Sequence, residues 1–211
     1  DFTVLALLPS YLERKGSSLT YMANDMINKS RKIDSGFYLN QLDELKDKLI
    51  QLEVKRQKTL LLGVSFALLD LVERHSFNLH YTLIMETGGM KGRRKELTRE
   101  DLHERLKKGF GVPKIYSEFG MTELLSQAYS KGEGIFECPP WMRVAARENE
   151  DPLSQLPWGQ SGGLNVIDLA NRDSCSFIAT DDLAKVHSNS CFEVLGRLDT
   201  SETRGCNLMV I

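Results

Sequence analysis

Apolar positions in this chain follow two rhythms, which change over near residue 127. Before that point, short apolar runs alternate with longer stretches in which leucines recur every three or four positions. Residues 2–8 (Phe-Thr-Val-Leu-Ala-Leu-Leu), closed by Pro9-Ser10, predict a strand buried on both faces. Residues 19–29 predict a helix with Leu19, Met22, Met26 and Ile27 along one side. Ser17 or Ser18 serves as its cap, or the hydroxyl pair faces an anion at the helix start. After a polar turn at 31–36, Leu42, Leu45, Leu49 and Leu52 define an amphipathic helix over 40–55. Its acids come early (Asp43, Glu44) and its bases late (Lys55, Arg56, Lys58), as the helix dipole favours. A buried strand at 59–62, a turn at Gly63 and a helix at 66–74 follow, with His75 as a capping or solvated residue. The strand at 79–85 runs into Glu86-Thr-Gly-Gly-Met-Lys-Gly92, and Thr98-Arg-Glu-Asp101 opens a helix with capping-box spacing. That helix ends in 109–113, and residues 114–116 predict one more strand.

Beyond residue 127 the segments are short and punctuated by Gly and Pro: 135–138, 142–146, 163–168, 176–179 and 192–195. They predict antiparallel strands. Trp141 and Trp158, each behind a proline turn, read as packing anchors. The fold class expected is α/β, a largely parallel sheet with flanking helices, followed by a smaller β-rich subdomain. The domains expected are 1–126, carrying the nucleotide-site loops, and 127–211.

Composition narrows the function. The chain has 211 residues, 41% hydrophobic and 27% charged, with a net charge of −2. That is enough for a sizeable core and too little positive charge for a phosphate-tracking surface, so no nucleic acid is expected. Four cysteines (Cys138, Cys175, Cys191, Cys206) form no CxxC pair and suit reduced, cytoplasmic thiols, the first three in core positions. No apolar run approaches the ~20 residues of a membrane span. The chain begins at Asp1 and ends in an apolar Leu208-Met-Val-Ile211, so a fragment of a longer protein is expected.

The chemistry concentrates in 114–127 (Lys-Ile-Tyr-Ser-Glu-Phe-Gly-Met-Thr-Glu-Leu-Leu-Ser-Gln). A strand breaks into a loop offering an aromatic face (Phe119), a permissive Gly120, a hydroxyl (Thr122) and a carboxylate (Glu123). An aromatic ring stacks on a base, a threonine donates to phosphate and a glutamate holds Mg²⁺. The plainer alternative is a strand end running into a helix capped by Thr122. Gly88-Gly89 also lies just past a strand, and ligands of parallel sheets bind beyond the strands' carboxyl ends.

Three motifs then fall in order: Phe119-Gly-Met-Thr-Glu123, Thr180-Asp-Asp-Leu183 and Gly196-Arg-Leu-Asp199. Together they resemble the adenylate-forming superfamily of acyl-CoA synthetases, adenylation domains and luciferases, except that Asp181 stands where that family has glycine. Glu118 through Gln127, Met85 through Gly92 and Arg204-Gly-Cys206 are similar to the acyl-protein synthetase (LuxE) family. The resemblance implies a nucleotide-binding set of Gly88, Gly89, Glu118, Phe119, Gly120, Asp182 and Arg197. Within it Phe119 packs on adenine, Asp182 holds the ribose hydroxyls and Arg197 contacts ribose or phosphate. Thr122 meets the α-phosphate, Glu123 binds Mg²⁺, and Cys206 stands where the family's acyl-accepting cysteine is expected, Arg204 favouring its thiolate. On sequence alone Cys206 reads equally as an ordinary buried cysteine, and Lys91 as a phosphate contact or a solvated loop residue.

The activity implied is ATP-dependent activation of a carboxylic, fatty acid as acyl-adenylate, then transfer to that thiol. Coenzyme A is the alternative acceptor, and an acyl-reductase or acyl-acceptor protein the implied partner. The superfamily's phosphate-binding loop would lie upstream of Asp1, so this stretch alone is expected to be inactive. A non-catalytic nucleotide- or partner-binding homologue, suggested by Asp181 and the missing loop, is the rival of another class.

Overall fold

The computed structural model describes residues 2–9, 17–88, 97–188 and 190–198. They form two compact units, one of residues 1–122 with 129–134, the other of 123–128 with 135–211.

The first unit is α/β. Strands β1 (Thr3–Leu7), β2 (Gly36–Tyr38), β3 (Thr59–Val64), β4 (Thr82–Thr87) and β5 (Tyr116–Phe119) are all parallel, in the order β2-β1-β3-β4-β5. Helices α1 (Ser18–Ser30), α2 (Leu42–Val54), α3 (Ser65–Arg74) and α4 (Arg99–Phe110) connect them. The leucine stripe of α2 is buried as its spacing requires, and Leu5, Leu7, Leu61, Leu62 and Leu68 are fully enclosed in the same core. Ser17 caps α1, its Oγ accepting from the Thr20 amide at 3.2 Å. Thr98 caps α4, accepting from the Asp101 amide at 3.1 Å. His75 terminates α3 with Nε2 3.1 Å from Asp43. The short β6 (Ala128–Ser130) gives Tyr129 and Ser130 to this unit.

The second unit is antiparallel throughout, in the order β7-β11-β10-β9-β8. Its strands are β7 (Ile135–Glu137), β8 (Met142–Arg147), β9 (Ser161–Asp168), β10 (Phe177–Ser188) and β11 (Cys191–Arg197). Phe136 and Phe192 stack at its centre with ring centroids 5.4 Å apart. Among the described residues no helix is long and apolar enough to cross a membrane.

Several expectations need correction. Gly63 is no turn but lies inside β3, because α3 packs so closely that a Cβ there would meet Leu68 at 2.7 Å. The strand read at 114–116 starts two residues later and continues to Phe119, since polar Ser117 and Glu118 pair with the polar end of β4. No helix follows Thr122: the Leu125 and Ser126 amides that would begin one are bound by the Asp168 carboxylate. β10 runs on through the motif at 180–183. Neither tryptophan is a buried anchor, Trp141 being 52% and Trp158 67% exposed. Of the three cysteines expected in cores, Cys138 and Cys191 are half-buried and Cys175 is exposed. Burial pushes the Cys138 thiol up to about 12, with nearby Cys191 adding to it, so it is an inert thiol.

Candidate functional site

In the first unit the carboxyl ends of β3, β4 and β5 carry a dense polar cluster. Glu86, near the end of β4 and 2% exposed, is its centre. Arg99 Nη1 donates to Glu86 Oε1 at 2.6 Å, His103 Nε2 lies 3.5 Å from the same oxygen, and Ser65 Oγ is 2.9 Å from Oε2. Ser117 on β5 bridges to His103 Nε2 at 3.3 Å. Burial pushes the Glu86 carboxyl up, but the His103 hydrogen bond, the Arg99 charge and Ser117 outweigh it and hold it below the usual carboxylate range. Glu118 on β5, opposite Thr87 in the register, accepts from the Thr87 hydroxyl. Burial pushes its carboxyl up; the Thr87 bond opposes that shift and the Glu86 charge adds to it. The two neighbouring carboxyls are thus shifted in opposite directions, Glu86 down and Glu118 up.

This cluster shapes the loops the motifs pointed to. Gly88 leaves β4 at φ +68, a left-handed conformation that favours glycine, and its carbonyl is 2.7 Å from Ser65 Oγ. The Ser65 hydroxyl carries one proton and stands within reach of both Glu86 and Gly88. Phe119 ends β5 half-buried, followed by exposed Gly120 and Thr122. The structure therefore brings Gly88, Glu118, Phe119 and Gly120 to neighbouring strand ends. Gly89 and Lys91 lie outside the described residues.

In the second unit Glu123 is exposed, in a turn, and its carbonyl accepts from Asn171 Nδ2 at 2.7 Å. Asp182 and Arg197 are register partners on β10 and β11. Burial raises the Asp182 carboxyl; the Arg197 guanidinium opposes the shift and Asp181 adds to it. Asp181, the residue in the family's glycine position, lies 3.3 Å from Arg197 Nη2 in an exposed ion pair. The β10 motif is tied down from within: Thr180 Oγ1 donates to the Leu164 carbonyl at 3.0 Å and accepts from the Asp182 amide at 3.1 Å. Arg147 Nη2 donates to the Thr180 carbonyl at 2.7 Å. Asp199, Arg204 and Cys206 lie outside the described residues.

Among the described residues no group of three or more His, Cys, Asp or Glu side chains is placed to hold a metal ion. A lone exposed carboxylate such as Glu123 still fits Mg²⁺, which takes one or two carboxylates and completes its shell with phosphate oxygens and water. Sequence reasoning missed the Glu86 cluster, Asp168 and Asn171. A single acid closing an apolar strand, and an Asp-Leu-Ala-Asn cap at the end of another, are the signals that pointed to them.

The fold matches part of several solved structures. ATP-bound MatB from Rhodopseudomonas palustris superposes with a TM-score of 0.64 and 20% identity, over 93% of this chain and 40% of that one. A luciferase-like enzyme from the mealworm Zophobas morio gives 0.58 at 16% identity, over 93% of this chain and 48% of that one. A long-chain-fatty-acid-CoA ligase from Archaeoglobus fulgidus gives 0.57 at 14% identity, over 93% and 44% respectively. The chain thus shares the fold of these proteins over nearly its whole length. In sequence, 144 residues are 27% identical to the long-chain-fatty-acid–luciferin-component ligase of Vibrio harveyi, covering 63% of this chain and 38% of that protein. That likeness supports the resemblance to acyl-protein synthetases within the superfamily. No protein-family model matches the chain. The chain spans well under half the length of the Vibrio and MatB proteins it matches.

Proposed function

We propose that this chain is the nucleotide-site portion of an enzyme that activates a carboxylic acid, of fatty type, with ATP and passes the acyl group to a thiol. One observation carries the reading: Gly88 and Gly120 stand just beyond the carboxyl ends of parallel strands β4 and β5, and Phe119 at the end of β5, where such sheets bind ligands. The likeness to a Vibrio harveyi fatty-acid ligase supports the fatty-acid class.

In this reading a carboxylate oxygen attacks the α-phosphorus of ATP, a new P–O bond forms, and the bond to pyrophosphate breaks. Such a transfer needs positioning and charge neutralisation more than covalent help. Phe119 and Gly88 hold the adenine, Asp182 the ribose, Thr122 donates to the α-phosphate, and Glu123 is the metal ligand. Mg²⁺, when bound, neutralises phosphate charge. A thiolate then attacks the acyl carbonyl and AMP leaves. Cys206 is the proposed thiol and coenzyme A its rival.

ATP–pyrophosphate exchange by the full-length protein, with Mg²⁺ and a panel of fatty and aryl acids, tests the reading. Exchange stimulated by one acid class is expected. Hydroxylamine-labile protein acylation lost in Cys206→Ser assigns the acceptor, whereas AMP release that depends on coenzyme A and survives Cys206→Ser moves it. A folded protein that binds ATP and exchanges with no acid overturns the enzymatic reading in favour of a binding module.

A further inference from the structure

Two side chains on one turn hold the segment that carries Glu123. The 3-10 turn Leu169–Asn171 follows β9 directly, with Asp168 as its N-cap through Oδ1 and the Ala170 amide at 3.1 Å. Asp168 is completely buried. Its Oδ2 accepts from the amides of Leu125 at 3.0 Å and Ser126 at 2.9 Å, and its Oδ1 from Ser126 Oγ at 2.7 Å. Trp141 Nε1 donates to Ser126 Oγ at 2.8 Å, which fixes that hydroxyl as donor to Asp168 and acceptor from the indole. Three residues on, Asn171 is 3% exposed and spends one amide hydrogen on the Glu123 carbonyl at 2.7 Å and the other on the Cys175 carbonyl at 2.8 Å. One end of the turn thus offers an acceptor and the other a donor, and residues 123–126 present the complementary carbonyl and amides. A segment whose amides would otherwise open a helix is locked open instead, with its outward turn bearing Thr122 and Glu123.

We infer that Asp168 and Asn171 are positioning residues for Glu123: by clamping the backbone of 123–126 they fix where its carboxylate points and so the metal affinity of the nucleotide site. This rests on Glu123 being the metal ligand proposed above. Groups that orient a ligand without touching the metal typically change metal affinity or activity 10–100-fold when removed. Neither side chain is needed to neutralise Glu123 or to pack it, because Glu123 is exposed and the bond from Asn171 reaches its carbonyl.

The test measures, in the full-length protein, the Mg²⁺ concentration giving half-maximal ATP–pyrophosphate exchange, with Mn²⁺-dependent binding of a fluorescent ATP analogue as a second readout. Asn171→Ala and Asp168→Asn are each expected to raise that concentration about 10-fold, with the KM for the acid unchanged. In Glu123→Gln the requirement rises as well, and adding Asn171→Ala to it causes no further rise, because the clamp acts through Glu123. Fully additive shifts, or single variants with wild-type metal dependence, overturn the inference while a shifted Glu123→Gln leaves the metal-ligand reading standing. No shift in Glu123→Gln overturns the reading itself. Should Asp168→Asn or Asn171→Ala fail to fold, Ser126→Ala, which removes only the hydroxyl bonds, decides by the same criterion at a smaller expected shift of about 3-fold.

Discussion

Glu86 and Asp168 are both enclosed carboxylates at the ends of strands, one in each unit, and they are stabilised in different currencies. Glu86 is held by side chains: the Arg99 guanidinium, an imidazole and a hydroxyl from elements far apart in sequence. Asp168 is held by the chain itself, through three backbone amides and one hydroxyl. The first arrangement ties side chains of α3, α4 and β4 together; the second dictates the path of a loop. A charge cluster is therefore sensitive to protonation, whereas a clamp on amides is sensitive to any exchange of acceptor for donor.

The strongest way to break this contrast is Glu86→Ala. It breaks the largely buried Arg99–Glu86 ion pair and should cost about 3–5 kcal/mol in denaturant unfolding; a loss under about 1 kcal/mol would mean the ion pair contributes little. Asp168→Asn keeps the volume but turns a donor toward donating amides, for an expected cost of about 2–3 kcal/mol by the same measurement. Thr98→Ala removes the cap of the helix that brings Arg99 and His103 to Glu86, and about 1 kcal/mol should go with it.

Glu118→Gln should have the smallest effect and the opposite sign. Burial raises the Glu118 carboxyl, so its ionisation costs stability as pH rises through the folded value; the variant should be more stable than the wild type at neutral pH. Glu86, with its pKa lowered, contributes stability above the unfolded carboxylate range that is lost as pH falls through the folded value. A stability–pH curve of the wild type should therefore fall on the acid side through Glu86, and Glu118→Gln should remove the loss that Glu118 adds as pH rises from the ordinary carboxylate range through its raised folded value.

Much of the first unit was legible because its leucines keep strict spacing: α2, α4 with its Thr98 cap, and β1 stand where periodicity put them. What misled was polarity at strand ends. Ser117 and Glu118 look like loop residues, yet both are buried in β5 because Glu86 and Thr87 meet them there. The three-residue β2 carries too few positions for any rhythm. Of the candidate site, the motifs pointed to Phe119 and the Asp182–Arg197 pair, and the place just past a strand pointed to Gly88. The long-range partners were far less legible: the clamp of Asp168 on Leu125 spans 43 residues, and its one local signal is the Asp-Leu-Ala-Asn cap.

The irregular stretch of β10 restricts how this chain can change length. Between Ala179 and Leu183 the strand advances four residues while β9 advances only from Asn165 to Gly163. The surplus is even, so the alternation of faces survives it, and Ala184 and Val186 still turn inward. Deleting one residue from 180–182 would leave a one-residue bulge, with Leu183 still opposite Gly163 and Ala184 and Val186 still inward. Deleting two would preserve the core but flatten the kink from which Asp182 projects. Length changes in this stretch would therefore shift Asp182 before they disturb the core, because the pairing on either side of it holds the inward residues in place.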